Sequence, residues 1–106
     1  MDNENLENIV TQLVEASKPE RIILFGSRAR QQATAESDLD LMVVVDDRAP
    51  ADRKEAARLR RVVSPFLMNI DLVLVKKAKY DYWKDTISTV FYAAEQEGRI
   101  LYEKAA

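Results

Sequence analysis

Apolar residues at Leu6, Ile9, Val10, Leu13 and Val14 recur three and four positions apart, which predicts an amphipathic helix over residues 5–17. That helix must end before Lys18-Pro19, because the residue ahead of a proline disfavours helical backbone. Residues 21–25 are a short, nearly continuous apolar run and predict a buried strand. Gly26-Ser27 breaks the run, and residues 27–32 read as the start of a short helix with Ser27 as N-cap. Residues 33–37 then form a loop. Residues 38–45 are apolar after Asp40 and predict a second, central strand, followed by a turn from Asp46-Asp47 to Pro50. Residues 51–66 place Ala56, Leu59, Val62, Val63 and Phe66 on one helical face, and residues 69–75 predict a third apolar strand. A single last helix is expected over 80–97, with Tyr80, Trp83, Ile87, Val90, Phe91 and Ala94 as its core stripe. Gly98 suits the position after a helix, and residues 99–103 suit a short final strand.

Strands alternating with helices predict an α/β (α+β) fold: a mixed central sheet of about four strands with flanking helices. No repeat, low-complexity segment or linker interrupts the 106 residues, so one domain over 1–106 is expected. The chain is 47% hydrophobic and 32% charged, enough for one core, and no apolar run approaches the roughly 20 residues of a membrane span. The acidic start, Met1-Asp2-Asn3-Glu4-Asn5, lacks the order of a signal peptide, so a cytoplasmic protein is expected.

Two absences narrow the chemistry. Without Cys there are no disulfides, thiolate nucleophiles or cysteine zinc sites. Without His there is neither a Ser-His-Asp triad nor a histidine-ligated transition metal. Carboxylates, amines, guanidiniums and hydroxyls remain, a set suited to Mg²⁺ and phosphate. The net charge of -2 gives no global attraction to nucleic acid, and direct nucleic-acid binding is not expected.

Asp38 and Asp40 stand two apart on a strand, so both carboxylates leave the same face. At about 5 Å and an effective dielectric of about 20 they repel by roughly 3 kcal/mol. Mg²⁺ would remove that penalty and still keep places for water and phosphate. Asp71 opens another apolar strand. If the two strands are neighbours, the three carboxylates can converge on a two-metal site for phosphoryl displacement, and Asp71 can also accept the attacking hydroxyl's proton. Gly26-Ser27 supplies a strand-to-helix turn whose N–H groups can meet a phosphate. Arg28 and Arg30 stand where the helix dipole alone prefers acids, which suggests a bound anion nearby.

Gly26-Ser27 followed ten residues later by Asp38-Leu39-Asp40 resembles the Gly-Ser…Asp-x-Asp signature of the DNA polymerase β-like nucleotidyltransferases. The stretches Leu24–Arg30 and Ser37–Leu41 are most similar to the minimal nucleotidyltransferase (MNT) subgroup. The resemblance implies a nucleotidyltransferase fold with Asp38 and Asp40 as the metal pair, Asp71 as the third carboxylate and Gly26-Ser27 as the triphosphate-holding turn. Arg30 becomes the stronger candidate for a phosphate clamp. It further implies transfer of AMP from ATP to a hydroxyl with release of pyrophosphate. The expected role is a type VII-like HEPN/MNT antitoxin that adenylylates its HEPN-domain toxin and forms a hetero-oligomer with it. In one departure from the pattern, Gln31 stands where a glycine usually follows the arginine.

Two other readings stay open: an antitoxin that neutralises a HEPN ribonuclease by binding alone, and a transferase acting on a small molecule. Arg53, Lys54, Arg58, Arg60 and Arg61 make one helix basic, and a solvated face accounts for them more simply than a contact with RNA, nucleotide or an acidic partner. Tyr82, Thr89 and Tyr92 lie off the last helix's core stripe, at the sheet margin or at a partner contact. Asp46-Asp47 reads as turn chemistry.

Overall fold

The computed structural model describes residues 3–29 and 38–105. In chain order the elements are α1 (Asn3–Ser17), β1 (Arg21–Phe25), β2 (Leu39–Val45), α2 (Arg53–Val63), a 3₁₀ turn (Ser64–Phe66), β3 (Ile70–Lys76), α3 (Lys77–Trp83), α4 (Val90–Glu97) and β4 (Arg99–Glu103). The strands form one sheet in the order β3-β2-β1-β4, with β1 antiparallel to β2 and β4, and β2 parallel to β3. The expected mixed four-stranded sheet with flanking helices is therefore present. Among the described residues no helix is long and apolar enough to cross a membrane.

Alternation along the strands sorts their side chains onto two faces. Ile22 and Leu24 of β1, Leu39, Leu41, Val43 and Val45 of β2, and Leu72 of β3 face α1 and α2, where they meet Leu6, Ile9, Leu13, Leu59 and Val63. Most of these side chains are fully buried, each burial contributing about 1.5–3 kcal/mol. Ile23, Phe25, Met42, Val44 and Val75 form a smaller core on the opposite face, under Tyr80 of α3 and Ala94 of α4. The Tyr80 hydroxyl donates to Glu95 at 2.7 Å and so ties α3 to α4. Burial, followed by the Glu95 carboxylate, pushes this phenol well above its ordinary value, so it stays a neutral donor.

Several boundaries depart from the periodicity. The single helix expected over 80–97 is two helices, α3 and α4. Thr89 ends the continuity: its backbone is extended and its hydroxyl accepts from Tyr92 N at 3.1 Å, an N-cap for α4. Ser88 precedes it in the left-handed region at φ 78. The expected stripe is broken accordingly. Tyr80 and Ala94 are buried, whereas Trp83, Val90 and above all Ile87, 73% accessible, are exposed. α3 also starts earlier than expected, directly after β3. Its first turn is capped from a distance, because Ala78 N donates to Asp47 Oδ1 at 2.8 Å. Asp47 thus does more than turn chemistry. Asp46 behaves as expected there, accepting from Arg48 N at 2.9 Å.

The helix expected over 51–66 is α2 plus the Pro65-containing 3₁₀ turn, with Asp52 as N-cap accepting from Glu55 N at 2.9 Å. Arg58 is not simply solvated. It pairs with Glu55 at 2.7 Å and donates to Ala16 O at 2.6 Å, which locks α2 onto the end of α1. Gly98 caps α4 with φ -74, outside the left-handed region. Glycine is needed there because a Cβ would overlap Ala94 O and the Ile23 side chain.

Candidate functional site

Among the described residues the second-face core reaches as far as Phe25 at one end of the sheet. Level with Phe25, β2 and β3 carry carboxylates instead of apolar side chains. Asp40 shares the Met42 and Val44 side of β2, and Asp71 shares the Val73 and Val75 side of β3. In the parallel ladder Asp40 is the register partner of Asp71, so the two side chains stand side by side on one face. Like charges directly opposite each other tend to destabilise a sheet. Asp40 is half-buried and Asp71 exposed.

Asp38 is exposed and directly precedes β2. The ladder begins beside it, where Leu39 N donates to Asn69 O at 2.8 Å. Asp38 and Asp71 line one open depression with Met68, Asn69 and Ile70. Met68 and Asn69 are site neighbours that the residue pattern did not single out. Their position follows once β2 and β3 are known to be parallel, because α2 must then return the chain to the carboxylate end.

The antiparallel neighbour closes the other side. Phe25 is the register partner of Asp40, and Gly26 follows it. Gly26 adopts φ 75, a left-handed conformation that favours glycine. A Cβ at this position would overlap Asp40 Oδ2. Glycine therefore does two things here. It turns the chain out of β1, and it lets the backbone lie against the carboxylate. Ser27, Arg28 and Ala29 follow as a half-buried turn, where a helix start was expected. Arg30, Gln31 and Ser37 lie outside the described residues.

The chemistry of the donors suits a hard divalent cation, because every candidate ligand is a carboxylate oxygen. Among the described residues no three such groups stand close enough to hold one ion together. Mg²⁺ does not require that, since it commonly takes one or two carboxylates and completes its shell with water and substrate phosphate. The neighbouring pair Asp40 and Asp71, with Asp38 on the rim, fits such binding.

A mixed sheet in the order β3-β2-β1-β4 with flanking helices has the nucleotidyltransferase fold, and this one carries a carboxylate pair across its parallel strands beside a glycine turn. The family described as polymerase beta, nucleotidyltransferase matches the chain over residues 7–105, and the chain belongs to it. Solved structures agree on the fold. A Sulfolobus solfataricus protein assigned to the nucleotidyltransferases shares 18% identity at TM-score 0.63, over 95% of this chain and 79% of the other. A toxin–antitoxin structure with AMP-PNP shares 24% at TM-score 0.63, over 92% of this chain and 73% of the other. A mutant of the toxin–antitoxin MntA-HpeT shares 26% at TM-score 0.60, over 92% of this chain and 72% of the other. No curated protein matches the chain.

Proposed function

We propose that the chain is a Mg²⁺-dependent nucleotidyltransferase that moves AMP from ATP to a hydroxyl of a partner protein, the HEPN-domain toxin of a toxin–antitoxin pair. The observation that carries this reading is the side-by-side placement of Asp40 and Asp71 with Gly26 packed against Asp40. Membership of the nucleotidyltransferase family supports the reaction class. The toxin–antitoxin structures, one of them with AMP-PNP, support the nucleotide and the kind of partner.

Asp38 and Asp40 would hold a metal in this reading, and Asp71, beside Asp40, would share a second ion with it or take the proton of the attacking hydroxyl. Backbone N–H groups after Gly26, the Ser27 hydroxyl, Arg28 and Arg30 hold the phosphates. The acceptor oxygen bonds to the α-phosphorus, the bond to the bridging oxygen breaks, and pyrophosphate leaves. Bound Mg²⁺ supplies charge neutralisation for the phosphates. Asp38 and Asp71 are exposed, so a macromolecular hydroxyl can reach the depression that they line. Such a protein would act in the cytoplasm.

The test incubates the chain with α-labelled ATP, Mg²⁺ and the protein encoded beside it. Label and mass corresponding to AMP appear on the partner, and neither appears with Asp38→Ala/Asp40→Ala. A partner that stays unlabelled under every condition contradicts the transfer. A second reading, neutralisation by binding alone, is favoured by the exposed apolar side chains of Tyr82 and Ile87, 74% and 73% accessible. It predicts that the double-aspartate variant neutralises the toxin undiminished.

A further inference from the structure

α2 carries four exposed cations, of which the helix dipole accounts for only two. Arg53, Lys54, Arg60 and Arg61 are exposed, and none of their side chains makes an ion pair or hydrogen bond with a described residue. Arg58, by contrast, is held by Glu55 and Ala16. Arg60 and Arg61 lie in the last turn, where a helix dipole favours cations, but Arg53 and Lys54 lie in the first turn, where it opposes them. Helix stability therefore does not account for the set.

The four form a regular array. At about 100° per residue, Arg53 and Arg60 fall in one column and Lys54 and Arg61 in a second, opposite the buried Leu59 and Val63. Each column spans seven residues, about 10.5 Å. The small residues Ala57 and Ser64 fall between the columns. All this stands on a chain whose net charge is -2. The array also points somewhere. Because β2 and β3 are parallel, α2 runs back toward the carboxylate end, and from Arg61 the chain passes through Ser64–Phe66 and Met68-Asn69 to Asp71. Leu67, 93% accessible, is exposed on the way.

We infer that the exposed face of α2 is a docking track for an acidic helix of the acceptor protein, which it leads toward the Asp38–Asp71 depression. The inference rests on the proposed protein acceptor and names what that acceptor must carry. Carboxylates at i, i+3 or i+4, and i+7 of an opposing helix match the two columns, and guanidiniums pair carboxylates in a fork. A nucleic-acid backbone fits less well. Its charges follow one another every few ångströms, and α2 has no aromatic to stack a base.

The test uses the full chain and three labelled probes. One is a helical peptide with glutamates on one face at that spacing, the second has the same composition with the glutamates dispersed around the helix, and the third is an RNA duplex. None carries a serine, threonine or tyrosine acceptor and no ATP is added, so the outcome is independent of catalysis. Failed binding with intact transfer would sink only the docking track. The patterned peptide binds about tenfold tighter than the dispersed one. Arg53→Glu/Lys54→Glu/Arg60→Glu/Arg61→Glu abolishes that preference with the melting temperature kept. Arg53→Ala/Lys54→Ala, which relieves the helix dipole, reduces it by about threefold. Equal affinity for both peptides, an undiminished preference in the variants, or tighter binding of the RNA duplex through the same residues overturns the inference.

Discussion

The two faces of the sheet are built from the same strands and differ in how far they are covered. On one face α1 and α2 lie over Leu24, Leu41, Val43 and their neighbours. On the other, α3 and α4 pack on a smaller core around Met42, Val44 and Val75, and the same alternation then delivers Asp40 and Asp71 to its edge beside Phe25. β2 takes part in both. Its residues 39, 41, 43 and 45 belong to the closed face, and Asp40, Met42 and Val44 to the half-open one. The period of two along a strand lets one segment stabilise the fold through one set of side chains and hold repelling carboxylates through the other. The closed face offsets a penalty that the open face imposes.

Substitutions on the two faces should therefore have opposite signatures. Leu41→Ala on the closed face removes a fully buried side chain and should cost about 3 kcal/mol in chemical denaturation. A loss below about 1 kcal/mol would mean that this face is not the main source of stability. Gly26→Ala lies where the closed and open regimes meet. The left-handed backbone should cost about 1–2 kcal/mol, and the Asp40 carboxylate must move, so the substitution should also abolish transfer. Unchanged transfer would show that Gly26 need not lie against Asp40. The smallest effect has the reverse sign. Asp71→Asn removes a like charge opposite Asp40, and in chelator it should raise stability by about 0.5 kcal/mol while eliminating transfer. A destabilised Asp71→Asn protein would mean that the carboxylate serves the fold.

The same difference governs what could be read from residues alone. The strands of the closed face are apolar runs bounded by Gly26, Pro50 and Gly98, so their extents follow closely from composition. Asp38, Asp40 and Asp71 stand out because charges interrupt those runs at their starts. Whether Asp40 and Asp71 meet depends on strand order and register, which no local pattern encodes. The break between α3 and α4 was hidden because Trp83, Ile87 and Val90 fall at helical spacing although they face solvent. The local signal was Ser88-Thr89, whose hydroxyl cap competes with helix continuation. The Asp47 cap on α3 was beyond reach of any window, since its partner Ala78 is 31 residues away. Arg30 lies outside the described residues, so its part as phosphate clamp stands on resemblance to the family pattern.

The central claim is that the half-open face exists for nucleotidyl transfer. The measurement that tests it most directly is the mass of the adjacent-gene protein after incubation with ATP and Mg²⁺, comparing the unmodified chain with Asp38→Ala/Asp40→Ala at matched melting temperatures. The account predicts an added AMP with the unmodified chain and none with the variant. Equal modification by both would contradict it.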